Sequence, residues 1–100
     1  MIMMVMLSYD TPEQKHQTFL RKEFERLGGQ RIQYSVYAFR GENHECERVI
    51  RQMRRLAKGI PGDIRMIPME ESVWNGQVVI SEKDETGEKI RNMPVFIVIW

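Results

Sequence analysis

Ile2-Met3-Met4-Val5-Met6-Leu7-Ser8-Tyr9-Asp10 is an apolar run that stops on a hydroxyl, a phenol and a carboxylate. A half-exposed strand would alternate apolar and polar residues, whereas this run is apolar at odd and even positions alike. It therefore predicts a central strand covered on both faces. It is too short to cross a membrane. It also has no basic leader segment and no small-residue cleavage site, so it reads as a buried strand rather than an export signal.

Working outward, Thr11-Pro12-Glu13-Gln14 predicts a helix start, with Thr11 as N-cap, Pro12 at the first helical position and Gln14 at the third. His16, Leu20, Phe24 and Leu27 then recur at helical spacing, and Gly28-Gly29 stops the helix. Gln30 to Phe39 is rich in Ile, Tyr, Val and Phe and reads as extended, either one bent strand or two short ones. Asn43 is placed to cap a second helix whose apolar face is Cys46, Val49, Ile50, Met53, Leu56 and Ala57. Gly59 and Pro61-Gly62 end that helix, and Ile64 to Met69 is extended again. Trp74-Asn75-Gly76 reads as a turn into a short strand, Gln77 to Ile80.

This order predicts an α+β, ferredoxin-like sandwich of the βαββαβ type. Residues 1–80 form the ferredoxin-like domain. Residues 81–100 follow as a polar connector, Ser81 to Lys89, and an additional apolar strand, Pro94 to Trp100. An apolar strand of that kind must be covered, by a second subunit or another protein, so a homodimer is expected.

The net charge of +1 hides an asymmetry. Between Arg21 and Arg65 there are eleven Lys/Arg against six Asp/Glu, whereas from Met66 onward there are three against six. The basic middle is the electrostatically active part. Cys46 is the only cysteine and there are two histidines, which excludes an intrachain disulfide and a zinc site of the usual kind. A reducing, cytoplasmic setting fits that usage.

Five groups of residues are candidates for chemistry. Asp10 sits where a strand exits before a helix: it is either a turn residue favoured by the helix dipole or an oxygen ligand for Mg²⁺. As a ligand it would need a second carboxylate, which a two-fold axis could supply. Arg48, Arg51 and Arg55 share one stripe of the second helix, beside Arg54 and Lys58. That stripe is either a solvated face balanced by Glu45 and Glu47 or a row of guanidinium forks suited to phosphate oxygens. Arg31, Gln33 and Ser35 should share one face of a single pleat, with Ile32, Tyr34 and Val36 on the other. Tyr34, Tyr37 and Phe39 read as core rather than as a base-stacking platform. His16 and His44 have no partners at the spacing of a nucleophilic triad.

Tyr9-Asp10 at the end of the first strand, the helix after it, and above all Arg31-Ile32-Gln33-Tyr34-Ser35-Val36-Tyr37 resemble the CRISPR-associated Cas-two family. The resemblance covers nearly the whole chain. It implies a ferredoxin-like homodimer with Asp10 matching the family's proposed Mg²⁺ ligand near the two-fold axis. It also implies metal-dependent cleavage of single-stranded RNA or double-stranded DNA, or service as the central dimer that bridges the CRISPR integrase across duplex DNA during spacer acquisition. One departure stands out. Many members carry two arginines early in the first helix, where this chain has Lys15, Gln17 and Phe19; Arg21 and Lys22 come later and are expected to face differently.

The reading is thus a component of CRISPR adaptation. As an enzyme it would use Asp10 as catalytic metal ligand; as a scaffold it would hold nucleic-acid backbone on Arg31, Arg48, Arg51 and Arg55. The scaffold is favoured. The alternative is an RNA-cleaving toxin of the VapD kind on the same fold. A ligand-binding regulatory domain is a third option, against which the arginine stripe argues.

Overall fold

The computed structural model of the chain describes residues 1–78 and residue 80. Strand β1 (Ile2–Asp10) is followed by α1 (Gln14–Arg26), β2 (Gln30–Gln33) and β3 (Val36–Glu42), then α2 (Asn43–Leu56), β4 (Asp63–Glu70) and a short α3 (Glu71–Asn75). The four strands form one antiparallel sheet in the order β2-β3-β1-β4. This is an α+β architecture compatible with the expected ferredoxin-like fold. The connector and last strand predicted over 81–100 lie outside the described residues.

Because β1 is apolar on both sides, it feeds two clusters. Its odd residues Val5, Leu7 and Tyr9 pack with Tyr37 and Phe39 of β3, with Leu20, Phe24 and Leu27, and with Cys46, Val49 and Met53 of α2. Each fully buried aliphatic or aromatic side chain here contributes about 1.5–3 kcal/mol. Its even residues face the opposite way, where Met4 meets Ile32, Ala38 and Trp74, with Met6, Val36 and Met69 only partly covered. We refer to these as the helix-covered face and the open face.

Three local expectations are corrected. The first helix starts at Gln14, with Glu13 extended at the N-cap and no side-chain cap. Proline disfavours helical backbone at the residue before it, so Thr11 stays out of the helix. Its carbonyl instead accepts from Gln17 Nε2 at 2.9 Å. Likewise, Asn43 is the first residue of α2 and Glu42 the N-cap. Finally, Trp74-Asn75-Gly76 is no turn into a strand: Trp74 is buried within α3, and Gln77, Val78 and Ile80 lie outside any strand. An ion pair between Arg40 of β3 and Glu71 anchors the start of α3, which presses the Trp74 indole onto the open face.

The choice left open over residues 30–39 is settled as two strands. A turn at Tyr34-Ser35 separates them, with a register shift between Arg31 and Gln33. Ser35 takes a left-handed φ of 63°, a conformation that costs non-glycine residues. The Ser35 carbonyl accepts from the Tyr9 amide at 3.3 Å, which ties the hairpin tip to the end of β1.

Candidate nucleic-acid interface

The end of β1 separates two environments. Tyr9 belongs to the helix-covered core, so the alternation of strand side chains places Asp10 on the open face. Asp10 pairs across β1–β4 with Asp63. Facing carboxylates repel, but Arg65 takes both Asp63 oxygens at 2.9 Å each. That bidentate hydrogen bond holds the Asp63 carboxyl below its ordinary range. Asp10 itself is exposed, and its carboxylate has no partner among the described residues. Behind it the loop before β4 is closely packed: a Cβ on Gly62 would sit 2.3 Å from the Asp10 carbonyl oxygen, and Gly62 adopts φ +118°.

Magnesium is usually held by one or two carboxylates together with retained waters. Among the described residues of one chain no cluster of three metal-ligating side chains exists. Asp63 is already engaged by Arg65, so at this strand end the described residues of one chain offer Asp10 alone. Asp10 suits the ion as one of two ligands, the other having to come from elsewhere.

On the helix-covered side of the same strand end lies a recess of about 110 Å³. Arg31 from β2, Gln17 and Arg21 from α1, and Tyr9, Tyr34 and Tyr37 all line it. Tyr9 and Tyr37 stack with ring centroids 6.0 Å apart. Burial first, and then the hydrogen bond with Tyr9, push the Tyr37 phenol well above its ordinary range, against the opposing pull of Arg31 and Arg21. The Arg31 guanidinium lies 5.7 Å from the centre of the Tyr34 ring. The Tyr34 hydroxyl donates to Gln17 Oε1 at 3.0 Å. The hairpin tip is thereby strapped to α1.

The third group runs along α2, about 21 Å long at 1.5 Å per residue. Arg51 and Arg55 are exposed, and Arg55 donates to Gln52 at 3.4 Å. Arg48 differs from them. Its Nε donates to Glu45 at 2.9 Å, and that carboxylate is buried with its side chain 6% exposed. His44 approaches the other Glu45 oxygen at 3.3 Å. Arg54 and Lys58 border a groove of about 620 Å³ between α2 and the edge strand β4.

Of the sequence-derived residues, Arg31 and the α2 arginines therefore sit on the helix side, and Asp10 sits on the open face. The expected single pleat of Arg31, Gln33 and Ser35 is broken by the hairpin turn. Tyr34 is 68% exposed rather than core. Arg21 does not face away from Gln17: the two are four residues apart, lie on one helical stripe and line one recess. That spacing was the available signal for Arg21. Tyr34 is singled out in the sequence but reads there as core, and nothing local marks the Asp63–Arg65 pair.

No described helix is long and apolar enough to cross a membrane. Comparison with curated proteins finds no match. A comparison with family models matches residues 3–76 to the family described as CRISPR associated protein Cas2.

Proposed function

Because the chain belongs to the CRISPR-associated protein Cas2 family, we propose that it serves CRISPR adaptation as a dimeric scaffold that holds nucleic-acid backbone beside the integrase. The observation that carries this reading is the row of exposed arginines on α2, together with the exposed Arg31 at the same side of the sheet. Guanidinium forks bind phosphate oxygens in pairs and read no sequence. Arg48, held by Glu45, adds positive potential more than a free contact.

A second copy packed on the open face would cover Met6, Val36, Met69 and the 41%-exposed Ile67. Asp10 lies on that face, so a two-fold axis there would bring two Asp10 carboxylates toward each other. Such a pair would hold Mg²⁺, which lowers the pKa of bound water and stabilises charge on a phosphodiester. Cleavage of RNA or DNA is the second reading, and the free Asp10 carboxylate is the observation that favours it. Asp10 would position the ion there, while Arg31, on the opposite side of the sheet, would take no part in that step.

Binding of duplex DNA and single-stranded RNA, measured across a salt series with Mg²⁺ or EDTA, tests both. If Arg31, Arg51 and Arg55 of two copies each neutralise one phosphate, log K falls against log salt with a slope of about −5. Arg51→Gln should lower that slope by about 2 in the dimer, one per copy. Asp10→Ala should leave binding intact; loss of metal-dependent cleavage in that variant would establish the nuclease. A flat salt response would remove the scaffold reading.

A further inference from the structure

Resting on the reading that this protein holds nucleic acid, we infer that the recess between α1 and the β2–β3 hairpin is a pocket for a phosphate monoester, the phosphorylated end of a strand. Its lining carries the Arg21 and Arg31 guanidiniums and no carboxylate. An anion is therefore the ligand its charge selects. Its volume of about 110 Å³ is several times the roughly 10–15 Å³ that a single water needs. That is room for one phosphate group.

The choice of monoester over backbone diester follows from charge and from oxygen count. A monoester carries about −1.5 to −2 charges near neutral pH and three free oxygens. A backbone diester carries one charge and two free oxygens. Two guanidiniums from different elements match the first. The existing contacts leave both available. Arg21 touches Glu25 only in a long 3.5 Å contact between partly exposed side chains. Arg31 is engaged with the face of the Tyr34 ring rather than with an acid.

The recess is also built to keep its shape. Tyr34 bonds Gln17, and Gln17 in turn donates to the Thr11 carbonyl, so hairpin, helix and strand end are linked through two side chains. The Tyr37 hydroxyl, near both arginines, is a phenol that is protonated near neutral pH and is held so more firmly by burial, so it adds no negative charge to the floor.

The test uses the full-length protein and one duplex sequence made with 5′-phosphate, 3′-phosphate or hydroxyl ends, with inorganic phosphate as competitor. At a salt concentration that weakens backbone contacts, one phosphorylated end should bind about tenfold or more tightly than the hydroxyl end, the gain expected of a charge-assisted hydrogen bond. Inorganic phosphate should erase that difference, and Arg21→Gln should abolish it while leaving hydroxyl-ended duplex binding unchanged. The 5′ and 3′ arms identify which end is held. If all three duplexes bind alike, the pocket assignment is wrong and the scaffold reading stands. If none binds, the scaffold reading falls and the pocket with it.

Discussion

The two faces of the sheet are built from the same four strands and finished differently. On the helix-covered face Val5, Leu7, Leu20, Phe24, Tyr37 and Phe39 are at most 1% exposed, sealed by α1 and α2. On the open face Met4 and Ala38 are equally buried, but burial fades outward to Ile67 at 41% exposure. Trp74 of α3 caps only the middle of it. The helix-covered face is a completed interior that the chain closes for itself. The open face is an interior that the described residues begin and cover only in part. Its methionines, Met4, Met6 and Met69, are the side chains best able to adapt to a partner.

That contrast can be broken at either face, and the largest effect belongs to the sealed one. Phe24 fills the helix-covered core and lies so close to Gly29 that a Cβ there would meet its ring at 2.2 Å. Phe24→Ala should cost about 3–5 kcal/mol, read as a lowered denaturant midpoint with unchanged slope. A cost below about 1 kcal/mol would mean that this core is not sealed.

Next comes the charge pair at the start of α2. Among the described residues, Arg48→Gln leaves the buried Glu45 carboxylate with only the His44 imidazole beside it. Because the Arg48 side chain is 30% exposed, the loss should be about 1–2 kcal/mol, below the 3–5 of a fully buried pair. The same substitution at Arg51 should change stability by under about 0.5 kcal/mol. Equal effects at both positions would erase the distinction between a structural and a free arginine.

A smaller effect should follow alkaline pH. Burial raises the Cys46 thiol, with Glu45 and Glu42 adding to it against the Gly41 hydrogen bond, and burial also raises the Tyr37 phenol. Both hold their protons to higher pH when folded than when unfolded. Their contribution is therefore complete below the ordinary thiol range of about 8.5 and is lost as pH climbs beyond it. Denaturation midpoints at about pH 8 and pH 10.5 should show the decline, and Cys46→Val should remove the thiol's share. A midpoint that rises with pH would reverse the argument.

Smallest for stability is a change on the open face. Ile67→Glu should move the unfolding free energy of the isolated chain by no more than about 0.5 kcal/mol. In sedimentation, however, it should convert the dimer proposed above to a monomer. A variant that stays dimeric would show that the second copy sits elsewhere.

Much of this contrast was legible in the sequence. Continuous apolarity of residues 2–7 predicted two covered faces, of which the described residues seal one and cover the other in part. The 3.6-residue spacing of α1 and α2 showed which sides they bury. What escaped reading had physical causes. The Tyr34-Ser35 turn has no Gly, Asn or Asp to announce it, and Ser35 bears the left-handed backbone instead. Trp74-Asn75-Gly76 carries a turn signature, yet the gain from burying the indole on Met4, Ile32 and Ala38 holds the segment in helix. Thr11-Pro12 resembles a cap, but the helix opens two residues beyond Pro12. Asp10 and Arg31 were found as separate residues. Their placement on opposite sides of the sheet depends on pairing, which residue types alone do not encode.

Tyr9 and Asp10 are neighbours on one strand and serve opposite sides of it, and this places an unusual demand on the protein's history. Losing or gaining one residue inside the strand, with the pairing before it held, would exchange them, sending a carboxylate into the aromatic interior and a phenol to the open face. Substitutions among apolar residues are tolerable along this segment, since any of several would fill the same space. Insertions and deletions are not. In descendants of this chain the opening strand is free to change its spelling and bound to keep its length.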